Sequence, residues 1–193
     1  ITALEELVRR GLVREVGGFG PNDPSFGWQA DQTHVWFLSE RDRWMHLYSV
    51  DATADRPAPR QLTEGKWEIE SVSLSPDKRK LYITSTEVHP GERHIYAMAV
   101  EGGARTKLTS MTGSNQAEVS PDESTIGLVY SYSNKPPELY VMPNTPGGAA
   151  TQITTTPTAE WRSFNWIDPK VITFKARDGV DVYARLFTPE MIG

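Results

Sequence analysis

Residues 71–85 read "SVSLSPDKRKLYITS", and residues 117–131 read "AEVSPDESTIGLVYS". In each, a strand-like run meets Ser-Pro-Asp and is followed by a second run rich in β-branched and aromatic residues. Proline pre-sets φ for a type I turn, and the serine before it can hydrogen-bond the turn. Each stretch is therefore expected to be two strands joined by a tight turn. The aspartate of this turn returns along the chain: Asp31, Asp77, Asp122 and Asp168 stand 46, 45 and 46 residues apart. Each precedes a β-type run: "HVWFLS", "KLYITS", "TIGLVYS" and "VITFKA".

Other landmarks keep the same period. Second runs, "HLYSVD", "HIYAMAV" and "ELYVM", carry Tyr48, Tyr96 and Tyr140. Third elements follow at 60–63 ("RQLT"), 106–109 ("TKLT") and 151–154 ("TQIT"). Before each later aspartate lies a fourth short run, "IESVSLS", "QAEVS" or "RSFNW", and Gly102-Gly103 and Gly147-Gly148 punctuate the loops. Four short strands in about 45 residues is the period of a β-propeller blade. A β-sandwich also spaces its strands regularly, but gives no reason for the same Asp, Tyr and Leu-Thr to return at that interval.

The expected fold is thus all-β: a partial β-propeller of about four blades, three whole and one in part, each a four-stranded antiparallel sheet, ending in a β-hairpin. Residues 1–24 form an N-terminal segment, part of it helical, since Leu4, Leu7 and Val8 share helical spacing. Blades occupy 25–170. Residues 171–193 form the hairpin, where Asp178-Gly179 separates two β-type runs and calls for a two-residue turn with Gly179 at positive φ.

Composition narrows the function. With 193 residues and 38% hydrophobic content the chain can bury a core. Its 20 basic and 25 acidic residues are dispersed, with a net charge of −5 and no basic block, which argues against a nucleic-acid partner. There is no cysteine, so disulfides and thiolate metal sites are excluded. No apolar run approaches the ~20 residues of a membrane span. The chain starts at Ile1, and "ITALEELVRR" lacks the layout of a signal peptide, so both ends read as interior to a longer parent.

Taken together, "FLSERDRWMHLYSVD", "QLTEGKWEIESVSLSPD", "KLYITSTEVHPGERHIYAMAVEGG", "SNKPPELYVM" and "FKARDGVDVYARLFTP" resemble the propeller of dipeptidyl peptidase IV-like serine peptidases of the prolyl oligopeptidase clan. The resemblance runs from about Trp28 to Pro189. It implies a non-catalytic segment that caps the active site and gates peptide access, with peptide substrates handled by an α/β-hydrolase domain that this chain lacks. The closing hairpin would be the junction to that domain. It also favours a periplasmic or secreted location. The blade turns of this family are usually Ser-Pro-Asp-Gly, whereas Gln32, Lys78 and Glu123 hold the glycine place here. A TolB-like propeller that binds protein partners is the alternative. Tyr183, 43 residues after Tyr140, would let "DVYARLF" be a further blade strand instead of a junction.

Catalytic chemistry is not expected within the chain. An α/β-hydrolase presents its serine in Gly-x-Ser-x-Gly, and no such pentapeptide occurs. His34, His46, His89 and His94 read as surface strand residues, and the five-residue spacing of His89 and His94 suits no zinc site. "VGGFGP" is not a phosphate loop, so no cofactor or metal is expected. Two consecutive glutamates hold the substrate amino terminus in the resembled family. Glu5-Glu6 is the only such pair here and reads as an exposed helix face, so the role is not assigned to it. Arg41 and Arg43 near Trp44 could face a ligand but read as a solvated hairpin tip. The tryptophans are expected between blades. Open apolar faces at both ends of a partial ring make a homodimer the expected assembly.

Overall fold

The computed structural model describes residues 26–192. Strands β1 (Phe26–Trp28), β2 (His34–Ser39), β3 (His46–Asp51) and β4 (Arg60–Gln61) form one antiparallel sheet in the order β1-β2-β3-β4. The second sheet contains β5 (Ile69–Leu74), β6 (Lys80–Ser85), β7 (His94–Ala99) and β8 (Thr106–Lys107), and the third β9 (Ser114–Val119), β10 (Thr125–Tyr132), β11 (Lys135–Pro143) and β12 (Thr151–Gln152). Both repeat the same meander. A fourth, two-stranded sheet pairs β13 (Lys170–Lys175) with β14 (Asp181–Leu186). This is a partial propeller of three complete blades and a closing hairpin.

The repeated aspartate explains why each blade turns where it does. Asp31 Oδ1 accepts hydrogen bonds from the Thr33 and His34 backbone N–H groups at 3.0 and 2.9 Å. Asp77 Oδ1 accepts from Ser75 Oγ (2.6 Å) and Arg79 N (3.0 Å), and Asp122 Oδ1 from Ser120 Oγ (2.6 Å) and Ser124 N (3.1 Å). The residue after each aspartate lies in the left-handed region: Gln32 at φ 60°, Lys78 at 58° and Glu123 at 56°. The positions where glycine is usual keep glycine's conformation without glycine.

Because strand side chains alternate, each blade shows one face to its predecessor and one to its successor. Toward the next blade point Trp36, Leu38, Leu47 and Leu62, which share a core with Leu81, Ile83, Tyr96 and Met98 of the second blade. One blade on, Tyr82, Ile95 and Leu108 meet Ile126, Leu128 and Met142. The inner strand of each later blade is also tied to the hairpin before it: Ile69 N donates to Met45 O (2.9 Å), and Asn115 N to Arg93 O (3.2 Å).

Three expectations are corrected. "RSFNW" is not a strand: residues Ala159–Ser163 form a short helix, α1, because Thr158 Oγ1 caps it by accepting from Trp161 N at 3.1 Å. The β13–β14 turn has three residues, Arg177 to Gly179, not two. Ala176 N bonds to Val180 O (2.8 Å), and Gly179, at φ 84°, closes the turn to Ala176 O (2.9 Å). Finally, the first blade's outward face is buried, where both end faces were expected to be open. Val35, Phe37, Tyr48 and Val50, on the first blade's outward face, are at most 3% exposed. A second short helix, α2 (Pro189–Ile192), follows the hairpin.

Candidate functional site

Of the residues weighed for function, Glu5 and Glu6 lie outside the described residues. Arg41 sits above two stacked rings, its guanidinium 5.2 Å from the Phe37 ring centre and 4.7 Å from that of Tyr48. Arg43 is an exposed turn residue at φ 84°.

The histidines are not uniformly at the surface, as their strand positions suggested. His46 and His94 are 0% and 1% exposed, and His34 and His89 are half-buried. The buried pair belongs to a device repeated in every blade. Thr63 Oγ1 accepts from Leu47 N (2.9 Å) and stands 3.1 Å from His46 Nδ1, while His46 Nε2 lies 3.0 Å from Gly65 O. A carbonyl only accepts, so Nε2 carries the proton and Nδ1 accepts from the threonine. Thr109 and His94 repeat this, with Ile95 N at 3.1 Å, His94 Nδ1 at 3.0 Å and Glu92 Oε2 2.9 Å from His94 Nε2. In the third blade Glu138 replaces the histidine and bonds Thr154, which accepts from Leu139 N at 2.9 Å.

A Thr-His-Glu row superficially suggests a nucleophile, a base and an orienting acid. Thr109 is 1% exposed, its oxygen already holds a backbone N–H, and its counterparts recur in both other blades. These are structural bonds that fasten the outermost strand, and they account for the recurring Leu-Thr. Among the described residues no group of acidic and histidine side chains could hold a metal ion.

The concave surface lies elsewhere, where β14 crosses the hairpin ends of the second and third blades. His89 meets Tyr183 edge to face at 4.6 Å, and the Arg185 guanidinium lies 5.3 Å from the Tyr132 ring centre. On one side of Arg185 a cleft of about 380 Å³ reaches His89, Glu92 and Thr112. On the other side a cavity of about 720 Å³ is lined by Asn134, Phe164, Trp166, Pro169 and Phe187. Trp166, expected between blades, instead stacks on Trp161 at 5.0 Å, whereas Trp36 and Trp67 do lie in the inter-blade core. Sequence reading gave no signal for this site. Its walls come from three segments that no motif links.

The model of the family described as the dipeptidyl peptidase IV (DPP IV) N-terminal region matches residues 19–137. The chain belongs to this family. Among the relatives of this DPP IV N-terminal segment, a probable dipeptidyl peptidase 4 of Emericella nidulans is 36% identical over 94 residues, 48% of this chain and 11% of the relative. A dipeptidyl-aminopeptidase B of Aspergillus niger is 30% identical over 141 residues, 66% of this chain and 15% of the relative. The crystal structure of Porphyromonas gingivalis dipeptidyl peptidase 4 aligns with a TM-score of 0.64 at 19% identity, over 82% of this chain and 22% of that one. That likeness supports the fold. The chain spans only a small part of each of these proteins.

Among the described residues, no helix is long and apolar enough to cross a membrane.

Proposed function

We propose that this chain is a non-catalytic propeller segment of a serine-type dipeptidyl peptidase, and that in the parent it caps the active site and restricts access to short or unstructured peptides. Residues 25–170 act as blades, and 171–193 lead into an α/β-hydrolase domain. The observation that carries this reading, beside the family match, is the placement of β13–β14. The hairpin rests on the ends of the second and third blades through Tyr183 and Arg185. The third blade's outer face, where a further blade would pack, keeps Val129, Leu139 and Ile153 exposed. A strand pair that leaves the ring at one end is what a junction requires.

The chain alone is inactive, because nothing in its sequence supplies the activated serine. Incubation with a fluorophosphonate probe should label no serine, and stoichiometric labelling would overturn this. The parent is tested by reading its gene past residue 193 and expressing the product. A Gly-x-Ser-x-Gly followed by Asp and His, with cleavage of dipeptidyl chromogenic substrates but not of a folded protein, fits the proposal. A stop codon soon after residue 193 would favour a TolB-like binding module instead.

A further inference from the structure

One of the two ring contacts that tie β14 to the blades is made by a histidine whose ring is set by a backbone bond. His89 lies between β6 and β7 in the run His89-Pro90-Gly91-Glu92, where Glu92 N donates to His89 O at 2.9 Å and closes a turn. Inside the turn, Gly91 N donates to His89 Nδ1 at 3.0 Å. The imidazole thereby does what Asn does in an Asx-turn, accepting from the backbone two residues on. An accepting nitrogen carries no proton, so Nε2 holds the ring's hydrogen. The ring is half-buried, and in this orientation it meets Tyr183 edge to face at 4.6 Å.

Protonation puts an N–H on both ring nitrogens. Nδ1–H then faces Gly91 N–H, donor against donor, and turning the ring over restores no acceptor. The ring must leave its place, and its contact with Tyr183 goes with it. The charges that face it do not offset this. Glu92, on its own loop, already receives His94 Nε2, and Arg93 is engaged by Glu70 and Pro90 O. Arg185 of β14 is a second cation in the same cleft, lying against Tyr132 of the third blade. We propose that His89 is a proton-released latch: neutral, it fastens β14 to the second blade; protonated, it releases the hairpin while the blades stay folded. Histidine is the side chain whose ordinary titration falls between pH ~5 and ~8. Asp31 and Asp122, held down to about 2, stay ionised across that window. The latch is built from this chain's own residues, so it acts whatever follows the hairpin in the parent.

The chain has no cysteine, so spin labels can be placed cleanly. Labels at Val88→Cys and Val180→Cys, both exposed positions, report the distance from the β6–β7 loop to the hairpin. A second pair, Val88→Cys with Val129→Cys, stays within the blades. Distances are read by pulsed electron resonance at pH ~7.5 and ~5.5, on either side of the ordinary imidazole midpoint. The hairpin pair should give one narrow distance at the higher pH, and the population at that distance should fall at least about twofold at the lower. The blade pair should not change. His89→Phe keeps a ring against Tyr183 without a titrating nitrogen and should abolish the shift. His34→Asn, in the first blade, should leave it intact. An unchanged hairpin distance, a shift that persists in His89→Phe or vanishes in His34→Asn, or an equal shift in the blade pair overturns the proposal. If His89→Phe does not fold, His89→Asn, whose Oδ1 takes the Gly91 bond without titrating, replaces it.

Discussion

Leu108 and Ile153 occupy the same place in successive blades, yet Leu108 is 3% exposed and Ile153 is 57% exposed. Each follows a two-residue outer strand and precedes the threonine that fastens it. The difference is the neighbour: Leu108 lies under Ile126 and Leu128 of the third blade. Ile153 shares its open face with Val129 and Leu139, which pair directly across β10 and β11.

That face should drive self-association. The open side chains leave roughly 200 Å² of apolar area per copy, so joining two copies gains about 10 kcal/mol at ~25 cal/mol/Å². Association costs an estimated ~4 to 15 kcal/mol, so the dimer is weak and concentration-dependent. With the first blade's outward face buried, closure of a ring through both ends is no longer the expected form, and a two-fold contact between third blades is. Sedimentation velocity from micromolar to hundreds of micromolar should show monomer giving way to dimer. Ile153→Lys should hold the chain monomeric with little change in stability. A lone 21.6 kDa species at all concentrations, or dimerisation undiminished by Ile153→Lys, would refute the open-face argument.

A second prediction uses the left-handed turn residues. Lys78 is exposed at φ 58°, a region that costs a side chain with Cβ about 1 kcal/mol. Lys78→Gly should therefore raise stability in urea by ~0.5 to 1 kcal/mol, the gain being trimmed by glycine's larger unfolded-state entropy. Glu123→Gly should not. Glu123 Oε1 accepts from Tyr82 Oη at 2.6 Å and Lys80 Nζ at 3.1 Å, joining second and third blades. Loss of stability in Lys78→Gly would contradict the turn geometry.

How much of this was legible follows from where the signal sits. The blade turns could be read because Ser75, Pro76 and Asp77 make their bonds within a few residues of one another, and local bonds leave a local signature. The hairpin could be read from Asp178-Gly179, but its length could not, since Ala176 and Val180 decide that by pairing. "RSFNW" alternates like a strand, but the Thr158 cap, outside the run, starts α1, which takes in Arg162 and Ser163. Burial of His46 and His94 depends on threonines 17 and 15 residues away. The cavity was illegible because Asn134, Trp166 and Arg185 meet only through tertiary packing.

The threonine device makes a graded prediction. Thr109→Val removes the acceptor for Ile95 N–H and the donor to His94 Nδ1, both buried, so it should cost ~2 to 3 kcal/mol. Thr154→Val removes the same backbone bond at the third blade, where that bond lies open to water, and also the bond to Glu138, whose carboxylate keeps Thr156 N and Oγ1 as partners, so it should cost less than Thr109→Val. Urea unfolding of the two variants checks the order. Equal losses would mean that burial does not govern the bond.

The same turn aspartates set the response to acid. The backbone N–H of His34 first, and Thr33 after it, holds Asp31 down to about 2. Ser120 Oγ first, then Ser124, holds Asp122 down to about 2, and Asp77 is lowered by Ser75 Oγ and Arg79 N. A carboxyl whose folded pKa is depressed binds its proton less readily in the native state. Its stabilisation is full above the ordinary value of 3.8 and is lost as pH falls through the folded value. Urea midpoints should thus be flat from neutral pH to ~5 and drop between ~4 and ~2, where native carboxylates must take up protons. Asp122→Asn lowers the midpoint at neutral pH, because an amide oxygen is a weaker acceptor than a carboxylate for Ser120 Oγ and Ser124 N. It also removes one titrating group, so its midpoint falls less steeply, and the two curves should converge near pH 2. If they stay parallel across that range, Asp122 is not among the groups that couple protonation to unfolding.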